Sequence, residues 1–194
     1  MVAAADAAAR LIVAIDWDPA TRAFELRNDG LTYILRVHRN GALGGVYLGP
    51  PLAPGGDRAL LLGDAFDGFD NRLAASVALE YPTAGSGDYR VPAIEVEHAD
   101  GSTVLELAYV AHRITPGKPP VVGLPSTYVE EDAEAETLEV DLRDALSGLE
   151  VTVVYSVFRD FAAITRRARV RNGGTSPVRL TTAMSASLDV PDAN

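Results

Sequence analysis

Cysteine is absent from this chain, which removes disulfides, thiol nucleophiles and cysteine-bound metals from consideration together. A reducing compartment is then the easier home, and the cytoplasm is the expectation. Cations are also scarce: 17 Lys and Arg face 27 Asp and Glu, for a formal charge of −10. Binding to nucleic acid needs clustered cations that displace counterions from phosphates, so nucleic acid is not an expected partner. Long apolar runs are missing. The run at 11–15 is too short for a signal h-region or a membrane span, and no membrane partner is expected. Residues 1–14 read as a partly frayed N-terminus. No phosphate-binding glycine loop precedes a helix, no Gly-x-Ser-x-Gly elbow presents a serine, and no convincing amphipathic helix exceeds two turns. No internal repeat is present.

What is there is a β rhythm. At 194 residues with 47% apolar content, the chain can bury a real core. From residue 11 onward, Gly, Pro, Asn or Asp recurs every eight to twelve residues, and the runs between are rich in Val, Ile, Leu, Thr and Tyr. That pattern predicts an all-β antiparallel sandwich. Strands are expected at 11–15, 23–27, 31–38, 44–48, 74–79, 93–98, 103–114, 149–158, 162–171 and 178–188. Asn28-Asp29-Gly30 and Asn40-Gly41 are hairpin signals. The last three runs are expected to form one meander. The proline-rich stretch 116–120 lacks ladder donors, so it must be edge or loop.

Two loops concentrate candidate chemistry. In residues 80–92, Gly85 and Gly87 permit backbone angles closed to other residues, Pro82 and Pro92 restrain the flanks, and Glu80, Asp88 and Arg90 stand beside Tyr81 and Tyr89. Residues 50–72 exceed ordinary connection length, which marks functional or disordered loops. Residues 128–141 carry Glu130, Glu131, Asp132, Glu134, Glu136 and Glu139. A cation site is one reading of them. A solvated strand face is the favoured one, because calcium loops need glycine and a fixed ligand spacing. His38, His98 and His112 lie far apart in strand-like runs and read as structural rather than zinc-binding, so neither a metal nor a cofactor is expected. In 165–170 the alternation puts Arg166 and Ala168 on one face and Thr165, Arg167 and Arg169 on the other, with acids of 130–139 available to pair.

The ordered blocks Glu80-Tyr81-Pro82, Gly87-Asp88-Tyr89-Arg90, Tyr109-Val110-Ala111-His112-Arg113-Ile114, Gly123-Leu124-Pro125-Ser126-Thr127-Tyr128, Asp144-Ala145-Leu146-Ser147-Gly148-Leu149, Ile164-Thr165-Arg166 and Ala183-Met184-Ser185-Ala186-Ser187-Leu188-Asp189 resemble the N-terminal domain of glycoside hydrolase family 36, the bacterial α-galactosidases. The similarity runs from about residue 15 to 192. The resemblance implies a β-supersandwich over 15–194, incomplete at its C-terminal end, set in front of a (β/α)₈ barrel. In such enzymes two barrel Asp residues hydrolyse terminal α-galactosides such as melibiose and raffinose with retention. No residue here inherits a catalytic role, and the isolated chain is expected to be inactive.

The resemblance also implies a homo-oligomer, tetrameric in the family, in which a loop of this domain edges a neighbour's sugar pocket. The corresponding stretch here points to Asp64, with Leu60 near the position of the family's aromatic and Phe66 following. Asp64 as a simple turn cap is the competing reading. Glu80, Asp88, Tyr89 and Arg90 are expected to be structural or interface residues. A free-standing carbohydrate-binding or scaffold sandwich is the alternative to the whole assignment. Sequence downstream of Asn194 would discriminate the two.

Overall fold

The computed structural model describes residues 13–53, 58, 61–62, 77–85 and 90–188. The strand order confirms an antiparallel all-β architecture. A five-stranded sheet runs β1 (Ala14–Asp18), β2 (Ala23–Asn28), β3 (Leu31–Val37), β4 (Leu43–Gly49) and β5 (Ala78–Leu79), in chain order. A four-stranded sheet has the order β10 (Ile164–Asn172), β9 (Leu149–Phe158), β8 (Ala135–Asp144) and β7 (Leu107–Pro116). A third, two-stranded ribbon pairs β6 (Ile94–His98) with β11 (Val178–Ala183).

Period-2 alternation builds the core. Leu138, Val140 and Leu142 of β8 and Val151, Val153, Tyr155 and Val157 of β9 point to one side and meet Phe24, Leu26, Tyr33 and Leu35 of the first sheet, with Ile94 and Val96 of β6 in the same cluster. A mostly aliphatic filling gains about 25 cal/mol for each Å² removed from water. The hairpin at Asn28 also ties the sheets together. Its side-chain oxygen accepts from the N–H groups of Gly30 and Leu31, and its amide donates to the carbonyls of Phe158 and Phe161 at 2.6 and 2.7 Å. Any Cβ at Gly30 would lie 2.5 Å from that of Ala162, so this junction requires glycine.

The expected meander of the last three strands is corrected. β9 and β10 do pair, but β11 leaves them and pairs with β6. The cross-strand partners explain the choice: Arg179 meets Glu97 at 3.2 Å and the Thr182 hydroxyl donates to Glu95, links that β10 with its own arginines does not offer. The strand expected from residue 103 begins only at Leu107. Before it, the Leu105 N–H donates to the Ala84 carbonyl and the Glu106 N–H to Asp144, so those backbone groups are already used outside any ladder. Pro116 closes β7 at a sheet edge, as its missing donor requires. Among the described residues no helix is long and apolar enough to cross a membrane.

Candidate functional site

Glu80, the first residue of the glycine-hinged bend, is buried where the two large sheets meet. Its backbone N–H donates to the Leu43 carbonyl at 3.0 Å, continuing the pairing of β4 with β5. Gly45 on β4 makes the room, since a Cβ there would sit 2.7 Å from Glu80 Oε1. One carboxylate oxygen accepts from the Tyr33 hydroxyl at 2.5 Å. The other accepts from the Tyr155 hydroxyl at 2.7 Å and from Arg166 Nη1 at 3.0 Å. Arg166 Nη2 reaches the Glu80 carbonyl, and its guanidinium lies 5.2 Å from the centre of the Tyr155 ring. β3, β9, β10 and the bend are thus joined through one carboxylate.

Burial, reinforced by the Glu80 charge, pushes both phenols far above their usual range, so both remain protonated donors. The carboxylate accepts from two hydroxyls and a guanidinium and is buried, which keeps it from solvent. Breaking such a buried pair strands a charge and costs about 3–5 kcal/mol. The arrangement is therefore structural. Tyr81 extends it by donating to the Met184 carbonyl at 3.0 Å, and Thr83 donates to the Leu105 carbonyl at 2.5 Å. Gly85, at φ +82°, packs so closely on Val104 that an added Cβ would stand 3.0 Å from it. Arg90 donates to the Val77 carbonyl at 2.7 Å, bracing the approach to β5.

Of the residues singled out in the sequence, Glu80 and Arg90 take structural positions here. Asp88 and Tyr89 lie outside the described residues, and so do Leu60, Asp64 and Phe66 of the upstream loop. Of the arginines in 165–170, Arg169 pairs with an acid of 130–139, Glu139, whereas Arg166 pairs with Glu80 instead. The signal for Arg166 was present: it shares a strand face with Ile164 and Ala168, both packed against the core.

The acidic run divides: Glu130, Glu131 and Asp132 are exposed, as a solvated approach requires, while Glu134, Glu136 and Glu139 are half-buried and engaged. Glu139 pairs with Arg113 at 2.7 Å and Arg169 at 2.9 Å, and Glu136 accepts the Ile15 N–H at 2.6 Å. Glu134 accepts from the N–H of Glu131 to close a capping box on a short 3₁₀ turn. The histidines are dispersed. Burial, together with the Arg36 and Arg22 charges, holds the His38 ring below its usual pKa, while His98 and His112 engage the Val104 carbonyl and the Tyr109 hydroxyl. Among the described residues no group of three or more His, Asp or Glu side chains could hold a metal.

The class the fold defines is an antiparallel β-sandwich whose chief polar cluster, among the described residues, is a buried ion pair between its sheets. Residues 41–194 match the Glycosyl hydrolase family 36 N-terminal domain, and the chain belongs to that family. It is 42% identical over 189 residues to α-galactosidase AgaA of Geobacillus stearothermophilus, an alignment that takes in 94% of this chain and 26% of that protein. Its fold superposes on the crystal structure of α-galactosidase AgaB from the same organism with a TM-score of 0.79 at 39% identity, covering 89% of this chain and 24% of that one. An AgaA variant in complex with raffinose gives 0.78 at 39% identity over 84% of this chain and 24% of that one. The chain spans about a quarter of the length of these relatives.

Proposed function

We propose that this chain forms the front, non-catalytic part of an α-galactosidase that removes terminal α-galactosyl groups from raffinose-type sugars with retention. The observation that carries this reading is the alignment to an α-galactosidase through 94% of the chain while only 26% of that enzyme is covered. The raffinose bound to the AgaA variant supports the substrate class. In this reading the Glu80–Arg166 knot keeps the two sheets in one fixed register, so that the domain can brace a catalytic barrel and build an oligomer in the cytoplasm. Asp64, with Leu60 and Phe66, edges the sugar pocket of a neighbouring subunit, and Asp88 and Tyr89 face the barrel beside Arg90.

An assay of the 194-residue chain on an aryl α-galactoside tests the division of labour. No turnover above an empty-vector control is expected, and clear turnover would contradict it. Asp64→Ala in the full-length enzyme should raise KM while the oligomer stays intact. An unchanged KM would remove Asp64 from the pocket.

A further inference from the structure

A second polar feature lies on the opposite face of the same sheet and meets the Glu80 knot only at Arg166, which also borders it. Residues 117–128 leave the end of β7 and cross the outer face of β9 and β10. They are held there by the Thr137 hydroxyl, which donates to the Gly117 carbonyl at 2.7 Å beside Ser156. Between this strap and the strands is a groove of about 290 Å³. Lys118 and Ser126 line it from the strap, and Ser156, Thr165, Arg166 and Arg167 from the strands. Among the described residues, none of those lining it is an acid, although the chain as a whole carries a formal charge of −10.

The neighbouring arginines show how unusual Arg167 is. Arg169 and Arg171 share its face of β10, and each has found a carboxylate: Glu139 at 2.9 Å and Glu150 at 2.6 Å. Arg167 stands across from Val154, so the ladder offers it no acid, and among the described residues its guanidinium has no ionic or hydrogen-bond partner. Lys118 donates to Ser126 Oγ at 3.0 Å and to the Thr127 carbonyl at 2.6 Å, which leaves one of its three N–H bonds unassigned. Burial first, then the Arg167 charge, lowers the Lys118 pKa. Two like charges held together in a half-buried groove without an acid are destabilising as they stand, and an anion between them would reverse the sign of the interaction.

We propose that this groove is an oxyanion site, in which Arg167 and Lys118 together hold a phosphate or carboxylate group and the Thr165 hydroxyl adds a hydrogen bond, while the Ser126 hydroxyl, which already donates to the Thr127 carbonyl at 2.8 Å, positions Lys118. The volume approaches the lower end for small-molecule sites, about 300 Å³, so the anionic group can belong to a larger molecule. The proposal goes beyond the α-galactosidase reading and stands if that reading fails.

The thermal midpoint of the chain, measured in inorganic phosphate, in acetate and in chloride at matched ionic strength, tests it. At an anion concentration about five times its Kd, the midpoint should rise by about 2–4 °C over chloride. Arg167→Ala should abolish most of the rise, and Arg167→Lys should retain part of it. Without anion, Arg167→Ala should not lower the midpoint, because it relieves a like-charge contact; a structural role for Arg167 would lower it. A rise in phosphate but not acetate identifies a dianionic phosphate ligand. Equal rises in both identify a carboxylate, as an acidic side chain of an adjoining protein surface would supply. A rise no larger than that in chloride, or an undiminished rise in Arg167→Ala, overturns the proposal.

Discussion

Arg166 and Arg167 are consecutive residues of one strand with the same charge, yet their surroundings are opposite. Arg166 points between the sheets, where its side chain is 8% exposed and bonded to Glu80. Arg167 points to the outer face, into a groove without an acid among its described lining residues. The pleat alone makes the difference, since successive side chains leave a strand on opposite faces. An inward cation can persist only with a fixed counter-charge, which Glu80 provides while Tyr33 and Tyr155 donate to that carboxylate and hold it in place. The outward one can remain open to an exchangeable partner. Identity of residue type therefore says little about role until the face is known.

The inner cluster is where changes should do most damage. Arg166→Ala leaves the Glu80 carboxylate buried without its cation and should cost about 3–5 kcal/mol in urea unfolding. Tyr155→Phe removes one charge-assisted hydrogen bond while keeping the ring, and should cost about 1.5–3 kcal/mol. Gly45→Ala, whose Cβ would meet the Glu80 carboxylate at 2.7 Å, should destabilise by about 1–3 kcal/mol through overpacking.

At the end of the sheet, Asp144 is buried and accepts from the Ser147 hydroxyl and the N–H groups of Ser147 and Glu106. Burial raises its pKa, but these donors outweigh it and leave the carboxyl below its usual value. Its contribution is therefore present above about pH 4, the unfolded value, and is lost as pH falls through the lower folded value. Asp144→Asn should cost about 1–2 kcal/mol at neutral pH and flatten that acid limb. On the outer face, Arg169→Ala should cost at most about 1 kcal/mol, because its partner contact is half exposed to water.

Much of the fold was legible. The strand 149–158 coincides with β9, and the Asn28-Asp29-Gly30 and Asn40-Gly41 turns fall where the Gly and Asn signals placed them. Period-2 alternation and turn chemistry are local, so one sequence carries them. Strand partnership is not local. Nothing in residues 178–183 announces that they abandon β10 for a strand some eighty residues earlier, because the deciding contacts, Arg179 with Glu97 and Thr182 with Glu95, require the ribbon already formed.

The candidate site was half legible for the same reason. Glu80 stood out through its company of glycines and aromatics, and that company suggested chemistry. The finding that it is structural depends on Tyr33, Tyr155 and Arg166, residues 47, 75 and 86 positions away. Arg166 could have been singled out as the one cation on a face otherwise apolar, paired as it is with Ile164 and Ala168. Pairing it with Glu80 required three dimensions.

The central claim is that Glu80 and Arg166 act as one structural unit. A double-mutant cycle by urea denaturation tests it with Glu80→Gln, Arg166→Met and the double variant. Each single change should cost about 3–5 kcal/mol, and the double variant should cost little more than either one, a coupling of at least about 2 kcal/mol. Costs that simply add would show that the two side chains stabilise the sandwich independently, and would contradict the account.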